Sequence, residues 1–212
     1  MRWLRRATGV VLVAAAALLL FAWQHSSGVT LSVDSPDKTY HVDLVGRLDA
    51  PSLFLDEHSV RVTARRRGAV AVDGHEIHFA DGFDESFDQE DGPPSWPQEN
   101  ILRFGRAQRT RDGILRVRNA SSRALSLLKV SADADLFLFF DLAPGSLTSV
   151  ATSERAPSTG SMYVGADGEW EGGMFIDGGG RDFDVSQVAS RCTYDVLVAD
   201  AGVSITQNSC GR

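Results

Sequence analysis

Leu136-Phe137-Leu138-Phe139-Phe140 is the stretch that decides the fold: five apolar side chains in succession, with Asp133, Asp135 and Asp141 close on either side. The acids confine the run to far less than a bilayer's thickness, so it is not a membrane span. Successive side chains of a β-strand point to opposite faces, and an antiparallel strand apolar on both must be central and covered on each side. The run is therefore expected at the centre of the core.

Outward from it the pattern has period two. Tyr40, Val42 and Leu44 alternate with His41 and Asp43, Val60 and Val62 share a face, and Leu115 and Val117 alternate with Arg116 and Arg118 before a turn at 119–122. No segment beyond residue 23 sustains a helical period through two turns. Short strands bounded by turn residues predict an all-β antiparallel sandwich, with a barrel as the other closed form. Gly92-Pro93-Pro94-Ser95-Trp96-Pro97 interrupts the pattern. It either divides the domain into two β subdomains near 92–98 or is a long loop within one.

Turn chemistry sets local expectations. Asp73-Gly74 predicts a tight hairpin with Val70 opposite Ile77 and Val72 opposite His75. Ser35-Pro36-Asp37-Lys38 predicts a β-turn, Asp177-Gly178-Gly179-Gly180-Arg181-Asp182 a glycine turn joining strands, and Arg65-Arg66-Arg67 before Gly68 a solvated turn. Two further strands flank Asp200-Ala201-Gly202. Taking Ala201 as midpoint sets Cys192 across from Cys210, Leu197 across from Ile205 and Ala199 across from Val203. These are the chain's two cysteines. In an oxidising compartment they read as a structural disulfide, adding about 3 kcal/mol, and no Cys-x-x-Cys spacing suggests redox work.

The amino terminus supplies the address. Arg2, Arg5 and Arg6 precede an uncharged stretch from Ala7 to Trp23, and no further charge occurs before Asp34. As a helix, those residues rise about 26 Å, close to the ~30 Å of a hydrocarbon core. Arginines resist translocation, so residues 1–6 are expected in the cytoplasm, 7–23 as a signal-anchor, 24–33 as a linker and 34–212 as an extracytoplasmic β-domain. A cleaved signal peptide, cut near Ser26-Ser27-Gly28, is the competing reading. Arginine outnumbers lysine 19 to 2, as GC-rich bacterial genomes favour, and the expected location is a bacterial inner membrane with the domain in the periplasm or outside.

With three of the 21 basic residues in that leader, the remainder carries 18 against 28 acidic ones, a formal charge of −10. Nucleic acid is a poor partner for such a surface. No cofactor or metal motif emerges. His75-Glu76-Ile77-His78 is one residue short of the helical zinc motif and lies in a strand, which sends the histidines to opposite faces and leaves them as surface or hairpin-edge residues. Ser35 and Lys38 match Ser-x-x-Lys without its companion motifs. Asp81, Asp84, Glu85, Asp88, Glu90 and Asp91 crowd one loop without the spacing of a calcium hand. Seven arginines between Arg103 and Arg123 meet one acid, Asp112, and the neighbouring acidic loop is their expected partner. Trp96, Trp170, Tyr163 and Phe83 are the aromatics available for a sugar-binding face.

The leading expectation is a non-enzymatic envelope protein that binds another protein or supports an assembly, its oligomeric state open. Two others compete. One is a glycan hydrolase using Asp84, Glu85 or Asp88, which needs paired carboxyls across a cleft. The other is an acidic inhibitor or immunity protein for a basic secreted enzyme.

Overall fold

The computed structural model describes residues 27–48, 58–78, 94–105, 111–132, 135–154, 161–184 and 192–208, and every element among them is a strand. These are β1 (Ser27–Asp34), β2 (Tyr40–Leu48), β3 (His58–Arg66), β4 (Ala69–His78), β5 (Ser95–Gln98), β6 (Ile101–Gly105) and β7 (Arg111–Asn119). They continue with β8 (Leu125–Ala132), β9 (Asp135–Leu142), β10 (Leu147–Glu154), β11 (Ser161–Trp170), β12 (Met174–Asp184), β13 (Thr193–Ala199) and β14 (Gly202–Asn208). The first sheet has the order β1-β2-β3-β4, the second β12-β11-β8-β9-β6-β5, the third β10-β7-β13-β14.

The run at 136–140 lies inside the six-stranded sheet, between β8 and β6, and its side chains divide between two cores. Phe137 and Phe139 join Leu115, Val117, Tyr194 and Val196 of the third sheet. Leu136, Leu138 and Phe140 join Tyr40, Val42, Leu44, Val62 and Val72 of the first. A strand apolar on both faces is thus satisfied by cover on both, and the sheets stack in three layers around β9.

Several local expectations need correction. β1 starts at Ser27, inside the stretch read as linker, because Leu31 and Val33 pack against the first core. Asp73-Gly74 is not a hairpin. It is a bulge inside β4, with Gly74 at φ 65°, where the register with β3 shifts. The hairpin turn is Arg67-Gly68, both at positive φ (49° and 85°), as a two-residue turn of matching twist requires. The glycine run at 178–180 is likewise strand, not turn. A Cβ on Gly179 would lie 3.1 Å from the Val203 carbonyl oxygen, so the glycines let β12 pass against β14.

The β13–β14 register differs by one from the expected pairing: Val196 faces Ile205 and Val198 faces Val203, around a two-residue turn at Asp200-Ala201. A one-residue slip exchanges the faces, which buries Tyr194, Val196 and Val198 and exposes Leu197. Cys192 is buried just before β13, no free cysteine occurs among the described residues, and Cys210 lies outside them. One pairing departs from the antiparallel expectation, since β13 runs parallel to β7. Residues 1–26, with Arg2, Arg5 and Arg6, also lie outside the described residues. Among those described, no helix is long and apolar enough to cross a membrane.

Candidate binding surface

The first sheet has four strands and the second six, so its cover is incomplete. The first core takes residues from β6, β8 and β9, with Trp96 of β5 packed against it, and none from β11 or β12. Register fixes which side chains occupy the uncovered part. Leu127 belongs to the first core and pairs with Glu169, while Lys129 pairs with Asp167. Tyr163, Asp167 and Glu169 of β11 therefore face the first sheet's side. Phe175 lies opposite Glu169 and Asp182 opposite Tyr163, on that same face. An extra residue in β12 at the register shift keeps Phe175 and Asp182 together despite their odd separation.

The result is a shelf beside β4. Phe175 is 74% exposed and Tyr163 50%. The Tyr163 ring lies across Gly165 and Gly180, where any side chain would collide with it. At the inner margin His75, 5% exposed, places Nδ1 3.1 Å from the Glu169 Oε2 and its ring 5.4 Å from Phe175. Lys129 reaches Asp167 at 2.7 Å. His75 was expected at a surface or hairpin edge; the bulge turns it inward, and the buried imidazole finds a carboxylate.

Elsewhere the polar groups are held in structural pairs. Ser35 Oγ donates to Asp37 Oδ1 at 2.6 Å and accepts from the Tyr40 amide at 2.9 Å, and the Lys38 amide donates to the Ser35 carbonyl at 2.8 Å. This is the β-turn expected of Ser-Pro-Asp-Lys. The Ser35 hydroxyl, then the Thr39 hydroxyl and amide, hold the Asp37 carboxyl down at about 2. Tyr40 donates to Asp141 at 2.8 Å; burial first, then that carboxylate, raises its phenol pKa.

Among the described residues three of these arginines meet groups of the sheets; the acidic loop, and with it the pairing expected there, lies outside the described residues. Arg103 donates through Nε and Nη2 (2.9 and 2.7 Å) to the fully buried Asp135, which also accepts from Thr152. Arg116 grips Asp195 at 2.5 and 2.7 Å, and Arg123 stacks over Trp170 at 4.9 Å. Register sets Arg116 across from Asp195, so that pair forms with the sheet itself.

The four aromatics do not converge. Trp170 is buried in the second core, Trp96 packs with Tyr40 and Phe140, Tyr163 is on the shelf, and Phe83 lies outside the described residues with Asp84, Glu85, Asp88 and the rest of the acidic loop. Among the described residues no group of three metal-ligating side chains is assembled. Phe175 went unforeseen, since Met174-Phe175-Ile176 reads like any buried strand.

No family model matches the chain, and no curated protein matches it. Among solved structures it is similar to pneumolysin at 10% identity and a TM-score of 0.25, over 80% of this chain and 47% of that one. The chain thus spans about half of that protein's length, and a likeness this distant carries no argument about fold or function.

Proposed function

We propose that this is an extracytoplasmic β-sandwich protein, held at a bacterial inner membrane by residues 7–23 with Arg2, Arg5 and Arg6 on the cytoplasmic side, and that it works by binding an envelope protein, not by catalysis. A Cys192–Cys210 disulfide belongs with that address. The observation that carries the binding reading is the shelf, where a phenylalanine three-quarters exposed sits in a strand of the same sheet that forms the core. Exposed leucines and valines scattered singly need no explanation, but an exposed phenylalanine set against the buried His75–Glu169 pair is the kind of anchor that dominates interfaces. Covering Phe175 would remove on the order of 150 Å² of apolar surface, worth about 2–4 kcal/mol before association costs.

The test is a photo-crosslinking amino acid at position 175 in cells, with position 204 on the outer face of the third sheet as control. One envelope protein, recovered from 175 and absent from 204, is the expected outcome. Background recovery from 175, or equal recovery from both, would refute the assignment.

A further inference from the structure

Resting on the reading of the shelf as a partner surface, we infer that its occupant is an extended, basic segment that adds to β4 as a fifth strand of the first sheet. Three observations converge. First, β4 ends its sheet and pairs with β3 alone among the described residues, so the amides and carbonyls of its outer edge face away from that sheet. Second, His75 on its inward side reaches Glu169 of β11 and meets Phe175 of β12 at 5.4 Å. The next strand out, about 4.8 Å further, would lie over β12, with an inward side chain on Phe175. Third, the ground around that position is acidic. Asp73 at the bulge, Asp167 and Glu171 lie beside it and Asp182 further along β12, against two cations, Arg61, whose side chain lies at Gly74, and Lys129, which is largely buried and already joined to Asp167.

Main-chain pairing supplies affinity, and the alternate side chains supply selectivity. Apolar residues on the inward face would cover Phe175, and lysines or arginines interspersed with them would meet the acids. The bulge at Asp73-Gly74 breaks the edge into two short runs, which limits the ladder and keeps the contact reversible. A second copy of this chain, acidic itself, would bring like charges together along the same edge.

The probe is a ten-residue peptide whose inward positions carry valine and lysine in turn, with threonine at the outward ones, titrated by fluorescence anisotropy against the full chain in detergent. Saturable binding is expected, weakened about tenfold or more by Phe175→Ser, by methylating alternate peptide amides, and by replacing the lysines with glutamates, and falling as salt rises. Hydrogen exchange should show new protection within Ala69–His78. Because Phe175 is exposed, the serine variant should keep the parent's urea midpoint. Equal affinity for the serine variant, for the methylated peptide or for the glutamate peptide would overturn the inference, as would concentration-dependent dimerisation through β4 with no peptide binding. If crosslinking from position 175 still captures an envelope protein while the peptide fails, the partner surface stands and strand addition falls. If both fail, the surface assignment falls with it.

Discussion

Replacing Phe137 and Phe140 by alanine, one at a time, measures whether the central sheet is covered on both faces. Both side chains are fully buried. Phe137 lies in the second core, with Phe139 at 6.1 Å, and Phe140 lies in the first, with Tyr40 at 5.6 Å and Trp96 at 6.2 Å. A phenylalanine ring buries roughly 150–250 Å², which at ~25 cal/mol per Å² is about 4–6 kcal/mol as an upper bound. Allowing for residual packing by alanine and partial collapse, each variant should lose about 3–5 kcal/mol. That is a large share of the ~5–15 kcal/mol that holds a domain folded. Urea unfolding followed by tryptophan fluorescence reads the loss, with Trp96 near Phe140 and Trp170 in the core of Phe137. The two variants should fall within about 1.5 kcal/mol of one another. A Phe140 loss below about 1 kcal/mol beside a Phe137 loss above 3 would refute the packing of the first sheet on the second.

Other consequences are as direct. Asp135→Ala removes the fully buried carboxylate that accepts from Arg103 and Thr152 and should cost about 3–5 kcal/mol, whereas replacing Asp135 and Arg103 together by apolar residues of similar size should cost much less, as paired denaturation curves would show. Gly168→Ala would drive a Cβ into the Leu127 carbonyl and to 3.0 Å from the Leu128 Cα. It should destabilise by more than Gly145→Ala, which meets open space and costs about 1–2 kcal/mol through its φ of 76° alone. Hydrogen bonding to Asp34, then attraction to Asp43, raises the His41 pKa above 6.5, so its stabilisation is full below about pH 6.5 and fades as pH climbs through the folded value. The Ser32 hydroxyl, then Arg65, lowers Asp43 below 3.8, so that contribution holds above about pH 3.8 and is lost as pH falls through its folded value. Both groups are well solvated, so the stability gap between the parent and His41→Gln should stay under about 1 kcal/mol and close by pH 9. A growing gap would reverse the sign. Reducing the proposed Cys192–Cys210 bond should lower stability by about 2–4 kcal/mol; a free-thiol assay finding both cysteines reduced in the exported chain would dispose of it.

Strand positions whose periodicity and turn residues agreed were legible in the sequence. Tyr40, Val42 and Leu44, Leu115 and Val117, and the two-faced run of β9 all sit where their patterns put them, and Ser35 to Lys38 turns as proline and aspartate require. The failures share a cause, which is competition between two plausible turns or two registers separated by little local energy. Asp73-Gly74 has the stronger hairpin signature, yet Arg67-Gly68 takes the turn. That choice carries Val62, Ala64 and Val72 together into the first core, a gain no window of ten residues contains. The C-terminal hairpin slips by one for the same reason, burying Tyr194, Val196 and Val198 in place of Leu197. The shelf was beyond reach altogether. Among the described residues the first sheet ends at β4, short of Phe175, and the relative width of two sheets is written in no single strand.

Hydroxyl-radical footprinting of the native chain, read residue by residue in a mass spectrometer, compares phenylalanine with phenylalanine and needs no substitution. Phe175 should be oxidised at least about ten times faster than Phe137, Phe139 or Phe140, with Tyr163 also modified, since Phe175 is 74% and Tyr163 50% exposed while β9 is enclosed on both faces. Oxidation of Phe175 as slow as that of the β9 phenylalanines would show the shelf to be covered, and Phe140 reacting as fast as Phe175 would show the first sheet lifted from the second.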